Sequence, residues 1–226
     1  ELSYAVDHAV WDFRPKGFHL TNLLLYALTA VGFYLAARKV VGEGPGFLAA
    51  LLFTVHPVHA EAVAWVSGRK EVLCAMFLML AWGSLLGEGR KRYALGLLFY
   101  VAACLSKTAA LPFPLVWWIQ DRRRPWKSVV PFLLVMLALG FVQWRLAAGA
   151  GVSGRYESLK PALLTPLLSV LDQAGALVLP LGLSPAYPVD AGSFGALRLL
   201  GWILAALGVV AALRRRESRF GMVWAL

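Results

Sequence analysis

Two cysteines and twelve acidic side chains are all that 226 residues hold, and each shortage closes off a class of protein. Two thiols cannot build a disulfide-stapled scaffold or a four-thiolate metal site. Cys74 and Cys104 both lie inside apolar runs, where a buried, inert thiol is the expectation. Charged residues make up 15% of the chain, against about a quarter in soluble domains. The glycines form no phosphate loop and no dinucleotide fingerprint, and no Gly-x-Ser-x-Gly elbow occurs, so no sequence signature of nucleotide binding or serine hydrolysis is present. Internal repeats and low-complexity tracts are also missing. The opening "ELSYAVDHAVWDFRPKG" has neither the basic start nor the apolar core of a cleavable signal. Together with "RFGMVWAL", which stops inside a new apolar run, it reads as a cut end, and the chain as a fragment of a longer membrane domain.

What is present is hydrophobicity. Apolar residues make up 60% of the chain, and the mean hydropathy is +0.68. The expected class is therefore an all-α polytopic membrane protein. The net charge of +10 would suggest nucleic acid in a soluble protein, but its placement argues against that partner. Thirteen of the 22 basic residues fall in four short clusters: Arg38-Lys39, residues 90–92, 122–127 and 214–219. Short basic loops between apolar runs are the mark of cytoplasmic loops.

Placing all four clusters on one side threads the chain. Residues 1–18 form an interfacial helix and loop on the outer side, with Leu2, Ala5, Val6, Ala9, Val10 and Phe13 on one apolar stripe. Spans follow across 19–147, at 19–37, 47–57, 72–87, 93–106, 108–120 and 128–147. An outer segment covers 148–197, with a membrane-associated helix at 161–180, and spans resume at 198–226. That gives about seven to eight spans in one domain. Three of them are short. At about 1.5 Å rise per residue, 47–57, 93–106 and 108–120 reach only about 16, 21 and 20 Å, against a hydrocarbon core about 30 Å thick. Their outer turns, at 56–71 and 106–109, should lie at membrane depth. Charged, non-helical backbone is tolerated there only where it lines a wet or protein-walled cavity.

The polar turn "HPVHAEAVAWVSGRKEV" supplies that cavity with candidates. His56, His59, Glu61, Arg69 and Lys70 come from it, Lys107 from the next turn, and Asp190 from the outer segment. Alternatively, Glu61, Arg69, Lys70 and Glu71 are ordinary solvated loop charges. "HPVH" is a poor zinc motif, because Pro57 breaks the i, i+4 pairing that two histidine ligands need on one helical face. Cations beside carboxylates in an outer-facing membrane pocket suit sugar transfer from a polyprenyl phosphate. The departing phosphate needs cations where its charge develops, and the acceptor hydroxyl needs a carboxylate base. Arg69 and Lys107 are the phosphate partners on this reading, and Glu61, Asp7 or Asp12 could stand in as base. A lipid-linked sugar transporter and a non-catalytic membrane scaffold are the alternatives.

The strings "LSYAVDHAVWDFRPKGFHLTNLLLYA", "HPVHAEAVAWVSGRKEVL", "LSKTAAL" and "LVLPLGLSPAYPV", in that order, resemble the transmembrane and tetratricopeptide-repeat O-mannosyltransferases. These belong to the C-type glycosyltransferase superfamily, with the protein O-mannosyltransferases. The resemblance implies a polyprenyl- or dolichyl-phosphate sugar donor, mannose first among the sugars, and a Ser or Thr acceptor on a secreted polypeptide. It also implies inverting transfer on the periplasmic or lumenal face. The family's acidic base falls upstream of this chain, so Glu61 is left to position substrate or hold Arg69, and the fragment alone should be inactive. Thr108 stands where the family pattern has Glu. No cofactor is implied, and a divalent metal is left open. The Ala, Leu, Gly and Arg usage points to a bacterial inner membrane, with the endoplasmic reticulum as the alternative.

Overall fold

The computed structural model of the protein describes residues 2–120 and 125–149, together with Ile203 and Leu207. The expected helix at 161–180, Asp190 and the resumed spans from 198 onward, apart from these two residues, lie outside that set. Among the described residues every regular element is helical. They run α1 (Leu2–Trp11), α2 (Pro15–Val41), α3 (Glu43–Val55), α4 (Ala60–Ala64), α5 (Arg69–Leu85), α6 (Arg90–Ser106), α7 (Phe113–Gln120) and α8 (Val130–Gly149). Single 3-10 turns stand at Pro57–His59, Val66–Gly68, Thr108–Ala110 and Trp126–Ser128.

The chain divides into two compact units, Glu1–Val55 with His59–Gln143, and His56–Val58 with Trp144–Leu226. In the second, the longest described stretch is the end of α8, where Trp144 and Leu146 are exposed. The first unit carries the core. Pro15 opens α2, where its missing N–H costs nothing, and Gly42, with φ at 92°, ends it. Gly89, with φ at 98°, precedes α6 in the same way. The expected break between 93 and 120 is present: α6 stops at Ser106, Lys107 is extended, and α7 starts only at Phe113.

Of the described helices, α2 alone is long and apolar enough to cross a membrane unaided. Helix α3 reaches that length only together with Pro57–Ala64, as a pair bent by 48°. Helix α2 is polarised across its width. Leu20, Leu24, Leu28, Val31 and Leu35 are exposed along one stripe, while Asn22, Thr29, Phe33 and Ala36 are buried on the other. Small residues let the neighbours approach: a Cβ on Gly32 would sit 3.3 Å from Met79, and one on Gly83 4.0 Å from Ala36. Apolar side chains facing out and polar ones facing in is the arrangement a lipid solvent favours.

The first unit has two chemically distinct ends. At one, the Lys39 ammonium donates to the Gly83 carbonyl (3.2 Å), Gly87 lies against the Arg92 side chain, and the Tyr93 hydroxyl donates to the Ser128 carbonyl (2.6 Å). Contacts thus gather the described parts of three basic clusters, Arg38-Lys39, residues 90–92 and Lys127, at one end. The N-termini of α2 and α5 and the C-termini of α3 and α6 form the other.

Candidate functional site

Helix α1 folds over this second end with its polar side inward. Leu2, Val6, Val10 and Phe13 are exposed, and Asp7, on the opposite face, is buried. The apolar stripe read from the sequence is therefore present and faces away from the protein.

Arg69, the first residue of α5, is fully enclosed. Its Nη2 lies 2.5 Å from Asp7 Oδ2 as an ion pair and also donates to the Phe18 carbonyl (3.0 Å). Nη1 donates to the Ser3 carbonyl (3.1 Å) and Nε to Asn22 Oδ1 (2.8 Å). The Tyr4 ring lies 4.6 Å from the guanidinium carbon. Asp7 in turn accepts the Thr21 hydroxyl (2.9 Å). Asn22 spends its amide on the Trp65 carbonyl (2.9 Å), and the Tyr4 hydroxyl donates to the Val66 carbonyl (2.7 Å). A buried guanidinium is tolerable only when neutralised and hydrogen-bonded, and here one carboxylate and three acceptors do that. The result ties α1, α2 and the 65–69 turn to one side chain.

Expected to meet a donor phosphate, Arg69 instead offers no exposed surface. The carboxylate that holds it is Asp7 and not Glu61. Asp7 is thereby committed to an ion pair. Glu61 is exposed in the first turn of α4, and Lys70 is exposed beside Arg69.

Lys107 is differently placed. Its backbone is extended (φ −156°, ψ 139°); its N–H donates to the Ala103 carbonyl (2.9 Å), and its carbonyl accepts from Ala110 (3.2 Å). The turn after it is anchored by the buried Tyr100, whose hydroxyl donates to the Leu111 carbonyl (3.0 Å). The Lys107 ammonium is in direct contact with Glu71 Oε2, and both side chains are about a third exposed, at 36% and 34%. Arg69 and Lys107 thus belong to two ion pairs, one sealed and one open, two residues apart on α5.

His59 packs its ring against Phe53 (4.4 Å between centroids) and Tyr26 (5.7 Å), whose hydroxyl caps the end of α3 at the Thr54 carbonyl (3.0 Å). His56, in the second unit, accepts the Val58 N–H on Nδ1 (3.2 Å). Cys74 and Cys104 are free and buried, as their apolar surroundings suggest. Among the described residues no three His, Cys, Asp or Glu side chains gather as metal ligands.

Sequence reasoning missed both acidic partners. Asp7 has a signal, since it is a lone carboxylate on the face of α1 opposite the apolar stripe. Glu71 has one too: spaced two from Arg69, it points along a different side of the same helix.

Comparison with known proteins gives relatives of one kind. Protein O-mannosyl-transferase TMTC2 of Mus musculus is 37% identical over 81 residues, 35% of this chain and 10% of the relative. Protein O-mannosyl-transferase Tmtc1 of Drosophila melanogaster is 32% identical over 123 residues, 49% of this chain and 13% of the relative. Protein O-mannosyl-transferase TMTC4 of Mus musculus is 38% identical over 84 residues, 31% of this chain and 11% of the relative. No family model matches the chain, and no solved structure does. The chain spans only about a tenth of the length of these relatives. Over the shared stretch the chain is similar to these protein O-mannosyl-transferases.

Proposed function

From that kinship we propose that the intact protein is a polytopic membrane glycosyltransferase. It moves a sugar, mannose by the relatives' names, from a polyprenyl or dolichyl phosphate to a Ser or Thr hydroxyl of a secreted polypeptide. The observation that carries the reading is the set of O-mannosyl-transferase relatives at 32–38% identity. The two-ended first unit agrees with it: basic clusters at one end suit a cytoplasmic face, and the end bearing Glu71 and Lys107 suits the outer or lumenal one. The short helices α3, α6 and α7 serve as incomplete spans whose turns open toward that face, and the exposed stripe of α1 lies in the interface.

In the transfer, the acceptor oxygen attacks the anomeric carbon while the bond from that carbon to the phosphate oxygen breaks. The acceptor proton passes to a carboxylate, and the phosphate leaves with added negative charge. Lys107 is the cation within reach of that charge, and the exposed Lys70 is a second. Arg69 acts indirectly, by fixing the turn between α4 and α5 on which Lys70 and Glu71 are mounted. His56, His59 and Asp190 stay proposed as substrate contacts, with Glu61 as an auxiliary carboxylate. The bacterial inner membrane has no support over the endoplasmic reticulum, since the relatives named above are animal proteins.

The test is transfer of mannose from a polyprenyl-phosphate donor by the full-length protein in vesicles. Lys107→Ala should abolish transfer while membrane insertion and protein amount stay normal. Full transfer by that variant overturns the phosphate assignment, and no transfer by the wild type with any polyprenyl-phosphate sugar overturns the enzyme reading.

A further inference from the structure

Two ion pairs begin α5, and their different exposure assigns them different work. Arg69 and Asp7 are sealed, at 0% and 5%, and nothing can replace either partner without dismantling α1. Lys107 and Glu71 are open to a ligand, at 36% and 34%. We propose that Glu71 is the resident counter-ion of Lys107, displaced by the phosphate of the lipid-linked donor when it binds. This rests on the reading of Lys107 as a phosphate partner.

Three features make the exchange feasible. The Lys107 backbone is held by Ala103 and Ala110, and the following turn by Tyr100, so the ammonium can change partners without the chain moving. Glu71 lies in the first turn of α5, where the helix dipole favours a carboxylate even after its partner has left. The pair is also weak enough to open, because a partly exposed Lys–Glu contact holds itself shut by only about two- to fivefold. With no phosphate bound, the pair keeps a cation at membrane depth neutralised. With phosphate bound, Glu71 is released beside the leaving group, where its charge disfavours retention of the product phosphate. The cost of binding and the ease of release come from the same side chain.

The experiment measures binding of a polyprenyl phosphate to the full-length protein in nanodiscs, for wild type, Glu71→Gln and Lys107→Met. Removing the competing carboxylate should lower the Kd two- to fivefold in Glu71→Gln, and Lys107→Met should raise it about tenfold or more. If the pair is only a staple between α5 and the α6 turn, Glu71→Gln binds with unchanged or weaker affinity, and the proposal is overturned. Should Glu71→Gln fail to fold, Glu71→Asp, which keeps the charge but withdraws it by one methylene, must also bind tighter than wild type. Equal binding by wild type and Lys107→Met removes the phosphate role itself, a different failure from unaltered binding in Glu71→Gln alone.

Discussion

Asp7 and Arg69 meet at 2.5 Å with 5% and 0% of their side chains exposed, and they join the first helix of the chain to the start of the fifth. A pair this deep is not itself a source of stability, since desolvation offsets most of the attraction. Its loss is another matter. Arg69→Ala leaves Asp7 charged and buried, and frees the Asn22, Ser3 and Phe18 oxygens as well. Breaking one partner of a buried pair costs about 3–5 kcal/mol. Arg69→Lys should recover little of this, because one ammonium cannot reach four acceptors set around a planar fork. Thermal unfolding in detergent checks both variants, and Arg69→Ala with wild-type stability and normal transfer would remove the clamp from the account.

The sequence showed where the polarity lay but not how it was distributed. The break at Lys107, the long apolar α2 and the apolar stripe of α1 were all legible, because each depends on local rules: proline, hydrophobic length and helical period. The separation of Arg69 from Lys107 was not. Both looked like outer-turn cations, and which one is sealed depends on Asp7 and Asn22, 62 and 47 positions away in sequence. Nothing in the period of α1 says that its lone carboxylate turns inward to an arginine on α5. The exposed stripe is read correctly from the same helix because exposure needs no partner.

Glycine positions in α3 give a matched pair. A Cβ on Gly46 would come within 2.8 Å of the Arg38 backbone, where α3 turns back on α2, while one on Gly44 meets nothing within 4 Å. Backbone cannot give way as a side-chain tip can, so Gly46→Ala forces the two helices apart. It should cost about 1–3 kcal/mol, whereas Gly44→Ala should be neutral or gain up to about 1 kcal/mol from helix propensity. Parallel thermal scans of the two variants decide it, and equal behaviour contradicts the close approach.

Tyr100 bears on the Lys107 turn from behind. It has no exposed surface, and its hydroxyl serves the Leu111 carbonyl. Tyr100→Phe keeps the ring packing against Phe113 and Phe132 but leaves that carbonyl without its donor. A fully buried acceptor left stranded costs about 1–3 kcal/mol, and this part-buried one should cost about 1 kcal/mol. Because the turn carries Lys107, the variant should also raise the KM for the lipid-linked donor more than it lowers kcat. A stability loss with KM unchanged would show that the turn positions Lys107 without help from Tyr100.

The two-ended character of the first unit gives the last expectation, on topology. Lys91 stands among the basic residues that open α6, and Glu61 at the opposite end, in the first turn of α4; both are exposed. Cys74 and Cys104 are buried, which keeps the background low for a thiol reagent. In sealed vesicles oriented with the outer or lumenal face exposed, Glu61→Cys should react with a membrane-impermeant maleimide added outside, and Lys91→Cys only after permeabilisation. The asymmetry follows from the cost of translocating short loops rich in Lys and Arg. It is also what the proposed transfer needs, because a donor phosphate bound at Lys107 and a secreted acceptor would have to meet on the same side. If both cysteines react from one side, the basic end does not mark the cytoplasm. The Glu71–Lys107 end then loses its claim to the outer face.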